Sequence, residues 1–111
     1  KNEASGPDAT VYAALDQVRA RPTVNMPPVD QSEYSTKDAL RQFIRDERRV
    51  ELAMEGLRYF DLKRWEIAES KLNGMPTVGS QPMQFLPKNY LLPLQQSELD
   101  RNPNLVQNPN Y

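Results

Sequence analysis

The sequence predicts a mainly α-helical chain that closes in an irregular, proline-rich tail. Three observations carry the prediction. Apolar residues recur at spacings of three and four from Val11 and again from Leu40, charged residues fill the positions between them, and six prolines crowd the stretch from Pro76 to Pro109.

Residues 1–22 read as a helix. Val11, Leu15 and Val18 form one stripe with Tyr12 and Ala14 beside it, Pro7 suits a first turn, and Pro22 stops the run near Ala20 because proline lacks an amide proton and disfavours helical geometry in the residue before it. Residues 23–34 show no periodicity, and Pro27-Pro28 marks an extended connection, so this is a loop. Residues 35–72 read as a helical pair bent near Gly56. Ser35 and Asp38 have the spacing of a capping box at its start, Leu40, Phe43, Ile44, Val50, Met54 and Leu57 supply the first stripe, and Tyr59, Leu62 and Trp65 begin the second. Residues 73–111 hold only short apolar runs such as Phe85-Leu86 and Tyr90-Leu91-Leu92, and read as a tail that wraps on other elements.

Composition bounds the function. At 111 residues, 38% hydrophobic and 26% charged, the chain is of globular type. A mean hydropathy of −0.78 predicts a small core and marginal independent stability. Fourteen basic against fifteen acidic side chains leave a net charge of −1, which gives no drive towards nucleic acid or anionic lipid. With no cysteine there is no disulfide, thiol nucleophile or thiolate metal site. No stretch approaches the roughly eighteen apolar residues of a membrane span, and the polar start does not read as a signal peptide. Because that start also lacks an initiator methionine, the sequence is read as an excised or processed part of a longer chain.

The densest feature is residues 45–65, where Arg45, Arg48, Arg49 and Arg58 interleave with Asp46, Glu47, Glu51, Glu55 and Asp61. Glu47 and Glu51 lie one helical turn apart beside the apolar stripe. They are expected to be partly shielded and to need arginine forks as partners. Two carboxylates so spaced could also suggest a metal site or a glycosidase acid–base pair. The chain has no histidine for a Glu-x-x-His element, however, and crowding arginines would lower a carboxyl pKa where a general acid needs it raised, so the architectural reading is preferred. A basic helix for nucleic acid, built on Arg41, Arg45, Arg48 and Arg49, fails because Asp46, Glu47 and Glu51 share the stretch. Tyr59, Phe60 and Trp65 could stack on sugar rings, but the helical spacing of Tyr59 and Trp65 favours a core role for both. Four scattered glycines make no phosphate loop, and no nucleophile–base pair can be assembled. No catalytic residue, metal ligand or cofactor is therefore expected.

Two blocks together resemble the signature of the SusD/RagB family of outer-membrane nutrient-binding lipoproteins. RDERRVELAMEGLRYFDLKRW at 45–65 is similar to an ERR-x-EL-x-x-EG-x-R-x-x-DL-x-RW segment, and YLLPLQQSELDRNPNLVQNPNY at 90–111 to a closing YL-x-P-I-P-x-x-E-x-x-x-NP-x-L-x-QNP-x-Y. VYAALDQVRARP resembles the helix that precedes them, so the likeness covers nearly the whole chain. Leu94-Gln95 departs from the usual Ile-Pro, and Leu57 stands where histidine is frequent.

The resemblance implies the C-terminal segment of a helical, tetratricopeptide-type protein of Bacteroidetes. It further implies a body on the extracellular face of the outer membrane, tethered there by a lipidated N-terminal cysteine that this chain does not carry. The implied work is non-catalytic: capture of an oligosaccharide or polysaccharide, or in some members a peptide, and delivery to a SusC-type TonB-dependent transporter, the implied partner. No ligand-binding residue carries over by motif. Glu47, Arg48, Arg49, Glu51, Arg58, Asp61 and Arg64, with Trp65, are expected to form a structural polar cluster, and the tail from Tyr90 a strap. Two other readings stay open: a small helical protein-interaction module without ligand binding, and a glycoside-processing enzyme that would release reducing sugar.

Overall fold

The structure, a computed structural model, describes residues 1–79 and 81–111. It is helical, with no strand among the described residues, and divides into two compact units, Lys1–Met54 and Glu55–Tyr111.

The first unit is built on α1 (Asn2–Ser5), α2 (Ala9–Arg19) and α3 (Lys37–Glu51). The helix expected over 1–22 is therefore interrupted. Gly6 adopts a φ of 82°, a left-handed conformation that favours glycine, and Asp8 then caps α2 by accepting the Thr10 and Val11 amides at 2.8 and 3.0 Å. Pro7 thus precedes the cap and lies outside the first turn. At α3 the cap is Thr36, whose hydroxyl accepts the Ala39 amide, in place of the expected Ser35.

The core of this unit consists of Val11, Tyr12, Val29 and Leu40, with Leu15, Tyr34, Phe43 and Ile44 packed against it. The loop between the helices supplies Val29 and is bound down along its length. Asp16 accepts the Val29 amide at 2.8 Å, and the Tyr12 hydroxyl donates to the Tyr34 carbonyl at 2.8 Å. Val50 and Met54, expected on the α3 stripe, are 70% and fully exposed. Leu40, Ile44, Glu47 and Glu51 recur at the helical repeat, so Val50 falls on another face, and Met54 lies beyond the end of α3.

The second unit holds α4 (Arg58–Arg64), α5 (Ala68–Leu72), a 3₁₀ turn (Pro87–Tyr90) and α6 (Gln96–Arg101). Leu62, Ala68 and Phe85 are buried, flanked by Ile67, Leu72 and Tyr90. Between α3 and α4 the chain runs non-helically through Met54 and Gly56, both at positive φ, so the break extends well before the glycine. The tail is fastened by side chains. Asn73 brackets the Phe85 backbone through both amide atoms, and Gln107 accepts the Leu94 amide at 2.8 Å while donating to the Leu94 carbonyl at 2.9 Å. Asn108 donates to the Leu92 carbonyl at 2.6 Å, and the Tyr111 hydroxyl lies 3.1 Å from the Lys88 and Leu91 carbonyls.

Candidate functional site

Two constellations fall on the residues singled out by the sequence, one in each unit. In the first, α3 turns Glu47 and Glu51 towards the end of α2. Glu47 pairs with Arg19 and Glu51 with Arg21. Arg19 is the central group. Its Nε donates to the Pro27 carbonyl at 2.7 Å, its guanidinium lies 5.4 Å from the Phe43 ring centroid, and its side chain is only 10% exposed. Burying an arginine is tolerable because three partners meet it at once.

Glu47 and Glu51 do take arginine forks, but the forks come from the last residue of α2 and from the short stretch that follows it. Sequence reasoning misses Arg19 and Arg21. Lying 28 and 30 residues from their partners, they carry no local signal; their only trace is the Arg-Ala-Arg ending of the α2 stripe at 19–21. Arg45 and Arg48 on α3 are half-buried and engaged, and Arg49 is exposed. Beside these pairs an apolar cleft of about 390 Å³ opens between α2 and α3, lined by Leu15, Val18, Ile44 and Leu52 with Arg48 and Glu51.

The remaining members of the expected polar cluster lie in the second unit. Arg64 donates to Asp61 at 2.6 Å, and Asp61 is buried. Trp65 is half-buried, with the Arg64 guanidinium 5.9 Å from its ring centroid. Tyr59 is 44% exposed, which corrects the expectation that it fills the core. Leu62 fills that core instead, because α4 is short and turns Leu62 inward while Tyr59 and Phe60 face outward.

Tyr59 borders a cleft of about 490 Å³ together with Arg58, Leu62, Gln84, Phe85 and Asn89. The Tyr59 ring meets Phe85 edge-on at 6.4 Å, and the Lys63 ammonium lies 5.4 Å from the Tyr59 ring centroid. Arg58 is half-buried, and its side chain makes no hydrogen bond, ion pair or ring contact with a described residue. The lining has a positive charge and no carboxylate. Trp65 does not line this cleft, so Tyr59 and Trp65, the pair that could form a sugar platform, are not brought together there.

Among the described residues no cluster of three or more acidic, histidine or cysteine side chains is placed to hold a metal, and no helix is long and apolar enough to cross a membrane.

Comparison with known proteins places these features in a family context. The SusD family model matches residues 1–111. SusD-like protein P2 of Formosa agariphila is 35% identical over 114 residues, which cover 99% of this chain and 22% of that protein. The crystal structure of a SusD-like protein from Bacteroides fragilis aligns with a TM-score of 0.77 at 28% identity, covering 99% of this chain and 23% of the other. The chain thus spans less than a quarter of the length of either relative.

Proposed function

Because the chain belongs to the SusD family, we propose that it is the C-terminal segment, 1–111, of a longer surface protein that captures glycans without cleaving them. In this reading the whole protein is a tetratricopeptide-type lipoprotein on the extracellular face of the outer membrane. It hands its ligand to a SusC-type TonB-dependent transporter. The observation that carries the reading is the family match over the full length of the chain.

The site geometry supports an architectural role for most signature residues. Glu47 and Glu51 are taken up by arginines of the same unit, Asp61 by Arg64, and Gln107, Asn108 and Tyr111 by backbone groups of residues 88–94.

The test is made on the full-length protein. Affinity electrophoresis against a panel of neutral and acidic polysaccharides should show retardation by at least one, with no reducing sugar released, and an affinity-tagged copy should bring a TonB-dependent transporter out of solubilised outer membranes. Release of reducing sugar would move the protein to the glycoside-processing enzymes. A second reading, a small helical protein-interaction module, is favoured by the apolar cleft between α2 and α3 and by exposed Val50 and Met54. A native product of only this length, inert to every glycan, would establish it.

A further inference from the structure

Asn73 is the one asparagine of the chain that is followed by glycine. That dipeptide carries its own chemistry. A backbone nitrogen can attack the side-chain amide carbon of the asparagine before it, and glycine, with no Cβ to bar the approach, offers the least hindered nitrogen. The structure holds both reacting groups in other bonds. Asn73 caps the end of α5, its Nδ2 donates to the Phe85 carbonyl at 3.2 Å, and its Oδ1 accepts the Phe85 amide. The Gly74 amide donates to the Met83 carbonyl at 3.0 Å, the Met83 amide donates to the Met75 carbonyl at 2.9 Å, and Gly74 is fixed at a φ of 78°. The far end of the Asn73 bracket is a core residue. Phe85 is 4% exposed, packed with Leu62 and Ala68, and meets Tyr90 edge-on at 4.9 Å.

We infer that Asn73-Gly74 is a deamidation site masked by the fold, and that its conversion unfastens Phe85. While the bracket is closed, the Gly74 N–H stays on the Met83 carbonyl and the Asn73 amide stays on the Phe85 backbone, so attack waits for a local opening that frees both. In the open state the Gly74 nitrogen gives its proton to hydroxide and bonds to Asn73 Cγ. The Cγ–Nδ2 bond breaks, and the amide nitrogen leaves as ammonia with a proton from water. Water then splits the succinimide ring at either carbonyl, giving aspartate, or isoaspartate with the main chain routed through the side chain. No oxidant or reductant takes part. Neither product can rebuild the bracket. Aspartate keeps an acceptor for the Phe85 amide but has lost the donor and sets a carboxylate oxygen against the Phe85 carbonyl, and isoaspartate displaces both contacts by adding a methylene to the main chain. A reversible opening thereby becomes a permanent one, and every copy that has opened here is marked.

The experiment uses the full-length protein in mildly alkaline buffer. Peptide mass spectrometry reads the exchange of NH2 for OH at Asn73, and labelling by isoaspartyl methyltransferase reads the isomer. Protein unfolded in guanidinium chloride supplies the unmasked rate. Folded protein should convert about tenfold or more slowly, because only the open fraction reacts. Leu62→Ala, which loosens the core beneath Phe85, should speed conversion. Guanidinium chloride below the unfolding transition should do the same in the unmodified protein, and decides the point if that variant does not fold. The aged protein and Asn73→Asp should both show faster hydrogen exchange at the Phe85 amide than the fresh protein.

Equal rates in the folded and unfolded protein would show that the bracket masks nothing. An Asn73 that stays intact in the unfolded chain would remove the site, and a Phe85 amide equally protected before and after conversion would remove the unfastening. Each of these overturns the proposal. Glycan retention enters none of these readouts, so the masked site and glycan capture are judged separately.

Discussion

The guanidinium of Arg19, in the last turn of α2, donates to the carboxylate of Glu47 on α3 while its Nε reaches the Pro27 carbonyl of the intervening loop at 2.7 Å. One side chain thereby ties two helices and their connection, and Phe43 covers its charged plane. The neighbouring pair, Arg21 with Glu51, has the same chemistry in a wetter place, because the Arg21 side chain is 49% exposed.

These two pairs should differ in energetic weight. Arg19→Met removes a buried guanidinium together with its bonds to the half-buried Glu47 carboxylate and the Pro27 carbonyl, and is expected to cost about 2–4 kcal/mol. Arg21→Met should cost less than about 1 kcal/mol, as exposed pairs do. Urea denaturation of both variants, with a double-mutant cycle against Glu47→Gln, measures the difference. Equal effects would contradict the nodal role of Arg19.

Leu40 and Leu62 are the two largest fully buried side chains, one in each unit. Replacing either by alanine should cost about 2–5 kcal/mol, the sum of lost transfer energy and the cavity left behind. Hydrogen exchange can localise the damage. Leu40→Ala should deprotect amides of α2 and α3, and Leu62→Ala those of α4 and α5.

Gln107 holds Leu94 by both its amide and its carbonyl, thirteen residues away. Gln107→Ala should cost about 1–2 kcal/mol and speed exchange of the Leu94 amide. Gln107→Glu should keep the accepting half of the bracket and lose the donating half, giving an intermediate effect. A Leu94 amide equally protected in all three proteins would remove Gln107 from this role.

Asp8 and Asp30 each gather local donors. The Thr10 hydroxyl and then the Val11 amide hold the Asp8 carboxyl below the ordinary aspartate range, and the Ser32 hydroxyl and amide do the same for Asp30. A carboxyl depressed in the folded state contributes stability above its unfolded pKa, and the contribution is lost as pH falls through the folded value. Acidification through and below the aspartate range should therefore fray the start of α2 and the turn at Ser32 before the cores melt. Pulse-labelling exchange at Val11 and Glu33 checks this, and Asp8→Asn, which keeps a cap without the charge, should remove the pH dependence at Val11.

Much of the helical layout is legible along the chain. The stripes from Val11 and Leu40 locate α2 and α3, Pro22 explains why α2 ends where it does, and the motifs at 45–65 and 90–111 carry the family assignment. Differences cluster where a choice lies between adjacent residues or beyond one helix. Ser35 is the better cap by residue type, and only the path of the chain into α3 selects Thr36 instead. Tyr59 has helical spacing with Leu62, yet α4 is too short to bury both.

The candidate site is visible in the sequence only in part. Tyr59 stands out there as a possible platform for sugar, but its neighbours Gln84, Phe85 and Asn89 arrive from a tail that has no periodicity to place them. Val29 likewise enters the core from a stretch that reads as loop, since a single apolar residue after a proline pair carries no repeat.

By itself the sequence determined what depends on neighbours within a turn or two: the apolar stripes of α2 and α3, the lack of histidine and cysteine side chains, and the motif patterns of the family. Only the tertiary structure decided that Glu47 takes Arg19, that Glu51 takes Arg21, that Gln107 closes on Leu94, and that Arg58 borders a cleft without a partner among the described residues. The reason is physical. Stripes and turn signals are set by hydrogen bonds and side-chain directions inside one element, whereas a charge many residues away becomes a partner only when packing brings two surfaces within hydrogen-bonding reach.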